Sequence, residues 1–266
     1  MDQTSDDRLR ARCLFYRGRI KSAQGDPEAG QRILEESIAL SRRPDIGEPT
    51  AAAVLALAWA RKESGVSPET TLDAFQQALY EAESEQDLIS ASDAHRQLGF
   101  LSWTFSKRRE LARFHFARAV RLARTCRALP QQAAIFNELG YLVAEWGRPD
   151  LAIRHCIRAI KVARSVGDDF LLPSIYVNLG LAYWTRDQLE VTRAWFDKAV
   201  DVFKRNRNPG GEAYARHELG RLLAHEEQPA AARKEFDRAA RLCRSNGLAG
   251  QLRSIEATLE RLDSNR

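Results

Sequence analysis

A small residue returns through the chain at an almost constant interval: Gly18, Ala58, Gly99, Gly140, Gly180 and Gly220, at spacings of 40, 41, 41, 40 and 40. Five of the six follow a leucine, as in "IFNELGYLVAEWG", "YVNLGLAYW" and "YARHELGRLLAHE". Seven residues beyond each anchor stands a turn position: Gly25, Gly65, Ser106, Gly147, Asp187 and Glu227. Sixteen or 17 residues beyond it come Leu34, Phe75, Phe116, Cys156, Phe196 and Phe236. Three further on is a second small column, Ser37, Ala78, Ala119, Ala159, Ala199 and Ala239. Matching columns on one period mean that a single supersecondary unit is written six times.

Within each unit the apolar residues follow the 3.6 period of two amphipathic helices. In the fourth, residues 131–146 read as the first helix and "GRPD" as the turn. Leu151, Ala152, Cys156, Ala159, Ile160 and Ala163 mark the second helix, with Pro149 in its first turn, where a missing N–H costs little. Glycine or alanine at a helix crossing lets two backbones approach, and a large side chain of the neighbouring helix fills what remains. One such pair cannot bury its apolar face. A stack of pairs can.

These columns resemble the tetratricopeptide repeat. The resemblance rests on Leu98-Gly99, Ala112, Phe116 and Ala119; on Leu139-Gly140, Ala152, Cys156 and Ala159; on Leu179-Gly180, Tyr183, Phe196 and Ala199; and on Leu219-Gly220, Ala232, Phe236 and Ala239. It covers roughly residues 8–246. The period is longer than the family's usual one, Ala58 replaces glycine, and Arg17 stands where leucine is expected. Long periods are similar to the arrays of large bacterial transcription activators and peptide-sensing bacterial regulators. The resemblance implies an all-α, right-handed superhelical solenoid forming a single domain over 1–266. Its repeats would span 5–45, 46–87, 88–128, 129–168, 169–208 and 209–247. A last amphipathic helix within 248–263 carries Leu252, Ile255, Leu259 and Leu262 on one face, as expected of a terminal cap. The chain is accordingly expected to be complete at its C-terminus.

Composition narrows the function classes. With 44% hydrophobic and 29% charged residues the chain is foldable rather than disordered. No apolar run approaches the ~20 residues of a membrane span, and "MDQTSDDRLR" is no secretory signal. Cys13, Cys126, Cys156 and Cys243 form no CxxC pair and read as small buried apolar residues of a reducing compartment. A cytoplasmic, bacterial protein is expected, and 34 arginines against seven lysines suit a GC-rich genome. Phosphate-loop, dinucleotide and HExxH spacings are absent, and His217 and His225 are too far apart to share an ion. No catalytic residues, metal or cofactor are expected.

Recognition is what remains. By the resemblance, first helices line a concave groove. The positions six and three before the anchor, and one and four after it, face that groove. With their neighbours they give Arg96, Phe100, Trp103, Asn137, Tyr141, Glu145, Asn178, Leu181, Trp184, His217, Arg221 and His225. Asparagine can bond both groups of an extended peptide backbone, and aromatics supply contact area. Ligand contact and local hydrogen bonding are both open for Asn137 and Asn178. The clamp that grips chaperone tails in other members is not reproduced.

Charge is local. Residues 1–95 carry 11 basic and 17 acidic side chains, whereas residues 96–165 carry 14 and 4. Arg109, Arg113, Arg121 and Arg124 would form a convex stripe within 107–127, either a solvated face or a dock for an acidic partner. No reading module for specific nucleic-acid binding is visible. The sequence therefore points to a scaffold that binds a protein or peptide segment. The alternative is a sensor whose signal peptide or small molecule controls a partner, followed by a basic surface for nucleic acid. Oligomeric state is open.

Overall fold

The computed structural model describes residues 3–264, and among these the chain folds into thirteen α-helices with no strand. Eight of the thirteen have the same length, 17 residues, as a repeated unit demands. Contacts divide the chain into two compact units, residues 1–131 and 132–266.

The first unit holds α1 (Gln3–Ala23), α2 (Pro27–Ser41), α3 (Ala51–Glu63), α4 (Pro68–Ser84), α5 (Leu88–Thr104) and α6 (Arg109–Thr125), with the first three residues of α7 (Leu129–Glu145). The second holds the rest of α7, then α8 (Pro149–Ser165), α9 (Leu172–Trp184), α10 (Leu189–Arg205), α11 (Pro209–His225), α12 (Pro229–Ser245) and α13 (Ala249–Ser264). Helices pair in chain order, α1 with α2, α3 with α4, α5 with α6, and again α9 with α10 and α11 with α12.

The sequence columns are the seams of these pairs. A Cβ added at Gly180 would lie 2.6 Å from the Phe196 ring, and one at Gly220 would lie 2.6 Å from that of Phe236. Only a bare Cα lets the ring in. In α7 the partner of Gly140 is Cys156, whose Sγ would be 2.4 Å from an added Cβ. Phe75, Phe116, Phe196 and Phe236 are fully buried, and Ser37, Ala78, Ala119, Ala159, Ala199 and Ala239 lie beside them out of water. Burying a phenylalanine stabilises by about 1.5–3 kcal/mol, and four of the six pairs bury one at this position.

Every helix from α1 to α12 is followed by a residue in the left-handed region. The turn after α7 shows why. Gly147 N–H donates to Ala144 O at 2.9 Å and Arg148 N–H to Val143 O at 3.1 Å, the paired bonds of a Schellman stop. Six of the twelve stops are not glycine: Gln86, Lys107, Arg127, Asp187, Arg207 and Glu227. In the third pair the left-handed residue is Lys107 rather than Ser106, because the anchor Gly99 sits one residue further from its turn. Side-chain caps mark the starts of α2, α4, α5 and α11, with Asp26 accepting from Ala29 N–H and Ser67 from Thr70 N–H.

α13 closes the second unit. Ile255 is buried against α12, His217 of α11 meets Thr258 Oγ1 at 3.0 Å, and Arg244 pairs with Glu256 at 2.9 Å. The cysteines correct the sequence reading in part: Cys156 and Cys243 are buried, but Cys126 is half-buried and Cys13 lies on the solvent face of α1.

Candidate functional site

Three first helices of the second unit, α7, α9 and α11, wall a cavity of about 590 Å³. Its lining is Tyr141, Ala144 and Glu145 from α7, Leu181, Trp184 and Thr185 from α9 and its cap, and Tyr214, Glu218 and Arg221 from α11. The repeat explains this composition. Positions one and four beyond each anchor glycine recur on one face of successive first helices, and the second helices leave that face uncovered. Tyr141, Leu181 and Arg221 occupy the first of these positions, Ala144 and Trp184 the second.

Electrostatics inside the cavity are uneven. Glu218 is only 4% exposed and accepts a hydrogen bond from Arg221 Nη1 at 2.8 Å. Burial raises its pKa above the usual carboxylate value, and Arg221 offsets part of that rise. The Arg221 guanidinium also lies 5.5 Å from the Trp184 ring centroid. Burial, with Glu145 and Glu218 nearby, pushes the Tyr141 phenol upward, and burial does the same to Tyr214. Both rings are thus neutral phenols at physiological pH. Glu145 is exposed and has no basic partner among the described residues.

Other groove candidates have different surroundings. Asn178 Nδ2 donates to Asn137 Oδ1 at 2.8 Å, and it lies 3.4 Å from Asn137 O. Asn137 is buried and Asn178 half-buried, so this amide hydrogen bond is internal and the pair links α7 to α9. His217 does not line the cavity; it lies against Phe236, with ring centroids 5.5 Å apart, and turns to Thr258. His225 stands at a neighbouring hollow with Trp184, Arg221, Thr258 and Leu262, its ring 5.9 Å from that of Trp184. Trp184 itself is half-buried between Phe196 and His225.

In the first unit the candidates are drawn into an internal network. Arg96 is buried, bonds Asp93 Oδ1 through Nε at 2.8 Å, and lies 5.5 Å from the Trp59 ring. Lys62 sits between the Trp59 and Phe100 rings, 4.6 and 5.5 Å from their centroids, and donates to Gln97 Oε1 at 2.8 Å. Trp103 is covered by Lys107 at 5.0 Å. On α6, Arg109, Arg113, Arg121 and Arg124 are all exposed, with Arg113 3.4 Å from Glu110.

Thr185 and Glu218 were not singled out in the sequence. Glu218 had a signal: it stands two residues before its anchor, the column that also holds Gln97, Glu138 and Asn178. A polar residue at that column in four consecutive units is a buried stripe rather than a run of surface residues. Among the described residues no group of three or more His, Cys, Asp or Glu side chains is placed to hold a metal ion, and no helix is long and apolar enough to cross a membrane.

Comparison with known proteins places this geometry in a family. Residues 171–245, which contain α9 to α12, match the tetratricopeptide repeat model. Solved structures agree in fold at low identity. NprR in complex with its cognate peptide NprX superposes with a TM-score of 0.73 at 12% identity, over 97% of this chain and 73% of that one. A Rap protein complexed with competence and sporulation factor gives 0.70 at 11%, over 95% and 80%. Aspartyl phosphate phosphatase F from Bacillus subtilis gives 0.70 at 14%, over 91% of this chain but 61% of that one. No curated protein sequence matches the chain at a significant level. Residues 171–245 thus belong to the tetratricopeptide repeat family, and the chain as a whole is an all-helical repeat protein of that fold.

Proposed function

We propose that the chain is a non-catalytic recognition module whose α7–α9–α11 face takes a peptide or a short segment of a partner protein. The observation that carries this reading is the cavity itself. Three consecutive first helices leave Tyr141, Trp184, Tyr214 and Leu181 around one hollow, with Glu145, Thr185, Glu218 and Arg221 interspersed. Aromatic area beside a few placed polar groups is the composition of a peptide-anchoring site. NprR and the Rap protein, similar in fold, hold a cognate peptide and competence and sporulation factor respectively. Four cysteines without a disulfide suit a cytoplasmic setting.

A second reading is a sensor, in which the occupant changes the affinity for a further partner. The cavity volume favours it, since about 590 Å³ lies in the range of small-ligand clefts. The exposed arginines of α6 would then offer an acidic partner its dock.

The test is selection of a randomised twelve-residue peptide library on the full chain, with Leu181→Arg and Trp184→Ala as controls. The reading expects peptides that bind the parent protein and lose at least about ten-fold in affinity to both variants, with the melting temperature unchanged in Leu181→Arg. Enriched peptides indifferent to both substitutions would place the binding surface elsewhere.

A further inference from the structure

We infer that the cavity between α7, α9 and α11 is a subsite for a cationic group, namely the guanidinium or ammonium of a basic residue in the bound segment. The inference rests on the reading of this cavity as a peptide site and adds the chemistry of its occupant.

Three aromatic rings, Tyr141, Trp184 and Tyr214, enter the lining together with two carboxylates, Glu145 and Glu218, and one base, Arg221. Ring faces carry negative quadrupole potential and attract a cation in a partly desolvated hollow. The protein already uses one face in this way, for Arg221 stacks 5.5 Å from the Trp184 centroid. That same guanidinium is taken up by Glu218 Oε2 at 2.8 Å. Among the described residues the other base near this carboxylate is His217, whose Nδ1 is 3.9 Å from Glu218 Oε1. Burial lowers the His217 pKa to about 4, so the ring is neutral at pH 7. Arg221 and Glu218 therefore cancel, and Glu145 is left as the uncompensated charge of the cavity.

That remaining charge decides between ligand classes. A carboxylate of the ligand would have to compete with Glu218 for Arg221 and approach Glu145 against repulsion. A cation meets Glu145 at the mouth and the rings of Tyr141 and Tyr214 within. Both phenols stay protonated, so they add π faces without adding charge. An apolar side chain would fill the space but leave the exposed Glu145 and the buried Glu218 without a new partner.

The experiment has two arms on the full chain. Small probes come first: n-butylguanidinium against its neutral analogue n-butylurea, read by NMR from the indole N–H of Trp184 assigned with a Trp184→Phe variant. Blocked pentapeptides follow, acetyl-Ala-Ala-X-Ala-Ala-amide with X as Arg, Lys, citrulline or Glu. The inference expects Arg and Lys to bind at least about ten-fold tighter than citrulline, with Glu weakest. It also expects Glu145→Gln to remove most of that preference at unchanged melting temperature. Citrulline equal to Arg, Glu tighter than Arg, or a preference that survives Glu145→Gln would overturn it. If the pentapeptides bind without regard to charge, the cationic subsite falls while the peptide site stands. If n-butylguanidinium shifts Trp184 and no pentapeptide does, the cationic subsite stands and the peptide reading falls.

Discussion

Asn178 shows how a side chain expected in the groove can serve the fold. Its amide hydrogen bond to Asn137 ties α9 to α7, which a site-only role would not require. Removing it leaves the buried Asn137 Oδ1 to find another donor. Asn178→Ala is therefore expected to lower stability by about 1 kcal/mol, measured by denaturant melting of the free protein; an unchanged midpoint would mean that water replaces the bond at no cost. Buried histidines carry a second residue-scale consequence. His95 is 3% exposed, its Nδ1 2.9 Å from His115 Nδ1, with Arg118 nearby and Glu83 4.0 Å away. Burial, with His115 and Arg118 adding repulsion, lowers its pKa to about 4. A depressed histidine pKa means that the fold prefers the neutral ring. Stability from it is complete above about pH 6.5 and is lost as pH falls toward 4, where the unfolded chain takes up the proton first. The loss is of order 1–3 kcal/mol. His155 and His217 are lowered in the same sense. Melting temperature should fall from pH 7 to pH 5, and His95→Gln, uncharged throughout, should flatten that slope.

At the scale of elements, much was legible because each unit is local. An anchor glycine, a ring or thiol 16 or 17 residues later and an alanine three beyond that place two helices and their crossing, and the structure puts Gly180 against Phe196 and Gly220 against Phe236 as that spacing requires. The stops were legible where the period places a turn position, as at Gly147, Asp187 and Glu227, and not at Arg127 or Arg207, which lie outside that column. Glu227 and Arg127 adopt positive φ at 57° and 53° although neither residue type favours it, since the neighbouring helices fix the turn and impose the conformation. Such residues carry strain of about 1 kcal/mol that glycine would not. Glu227→Gly should accordingly raise stability by up to about 1 kcal/mol, and Gly147→Ala, at φ 72°, should lower it by a similar amount. Thermal melts of the two variants should move in opposite directions; movement in the same direction would remove strain as the explanation. The terminal helix is a further element-scale case. Deleting residues 249–266 strips Ile255 and Thr258 from α11 and α12. Lower melting temperature and concentration-dependent association are expected by light scattering, whereas a soluble, equally stable monomer would show that α13 is not a cap.

For the molecule as a whole, the candidate site was less legible than the fold. Tyr141, Leu181, Trp184 and Arg221 follow from the repeat register and do line one cavity. Arg96, Phe100 and Trp103 share that register, yet in the first unit Lys62, Asp93 and Lys107 are engaged with their rings and guanidinium. Register tells which face a side chain takes. It does not tell which neighbour satisfies it, because that depends on residues dozens of positions away in the next unit. Glu218 was missed for the same reason, as its burial comes from the helices around it. A repeat fold with interchangeable faces can host many ligands, so the account stands on the claim that the α7–α9–α11 cavity is the one that binds. The most direct measurement is photo-crosslinking of a selected peptide carrying a benzophenone side chain, with the attachment points mapped by mass spectrometry on the full chain. Attachment concentrated at Tyr141, Glu145, Leu181, Trp184 and Tyr214 is the result this account predicts. Attachment confined to the arginine stripe of α6, or to the exposed faces of α8, α10 and α12, would contradict it.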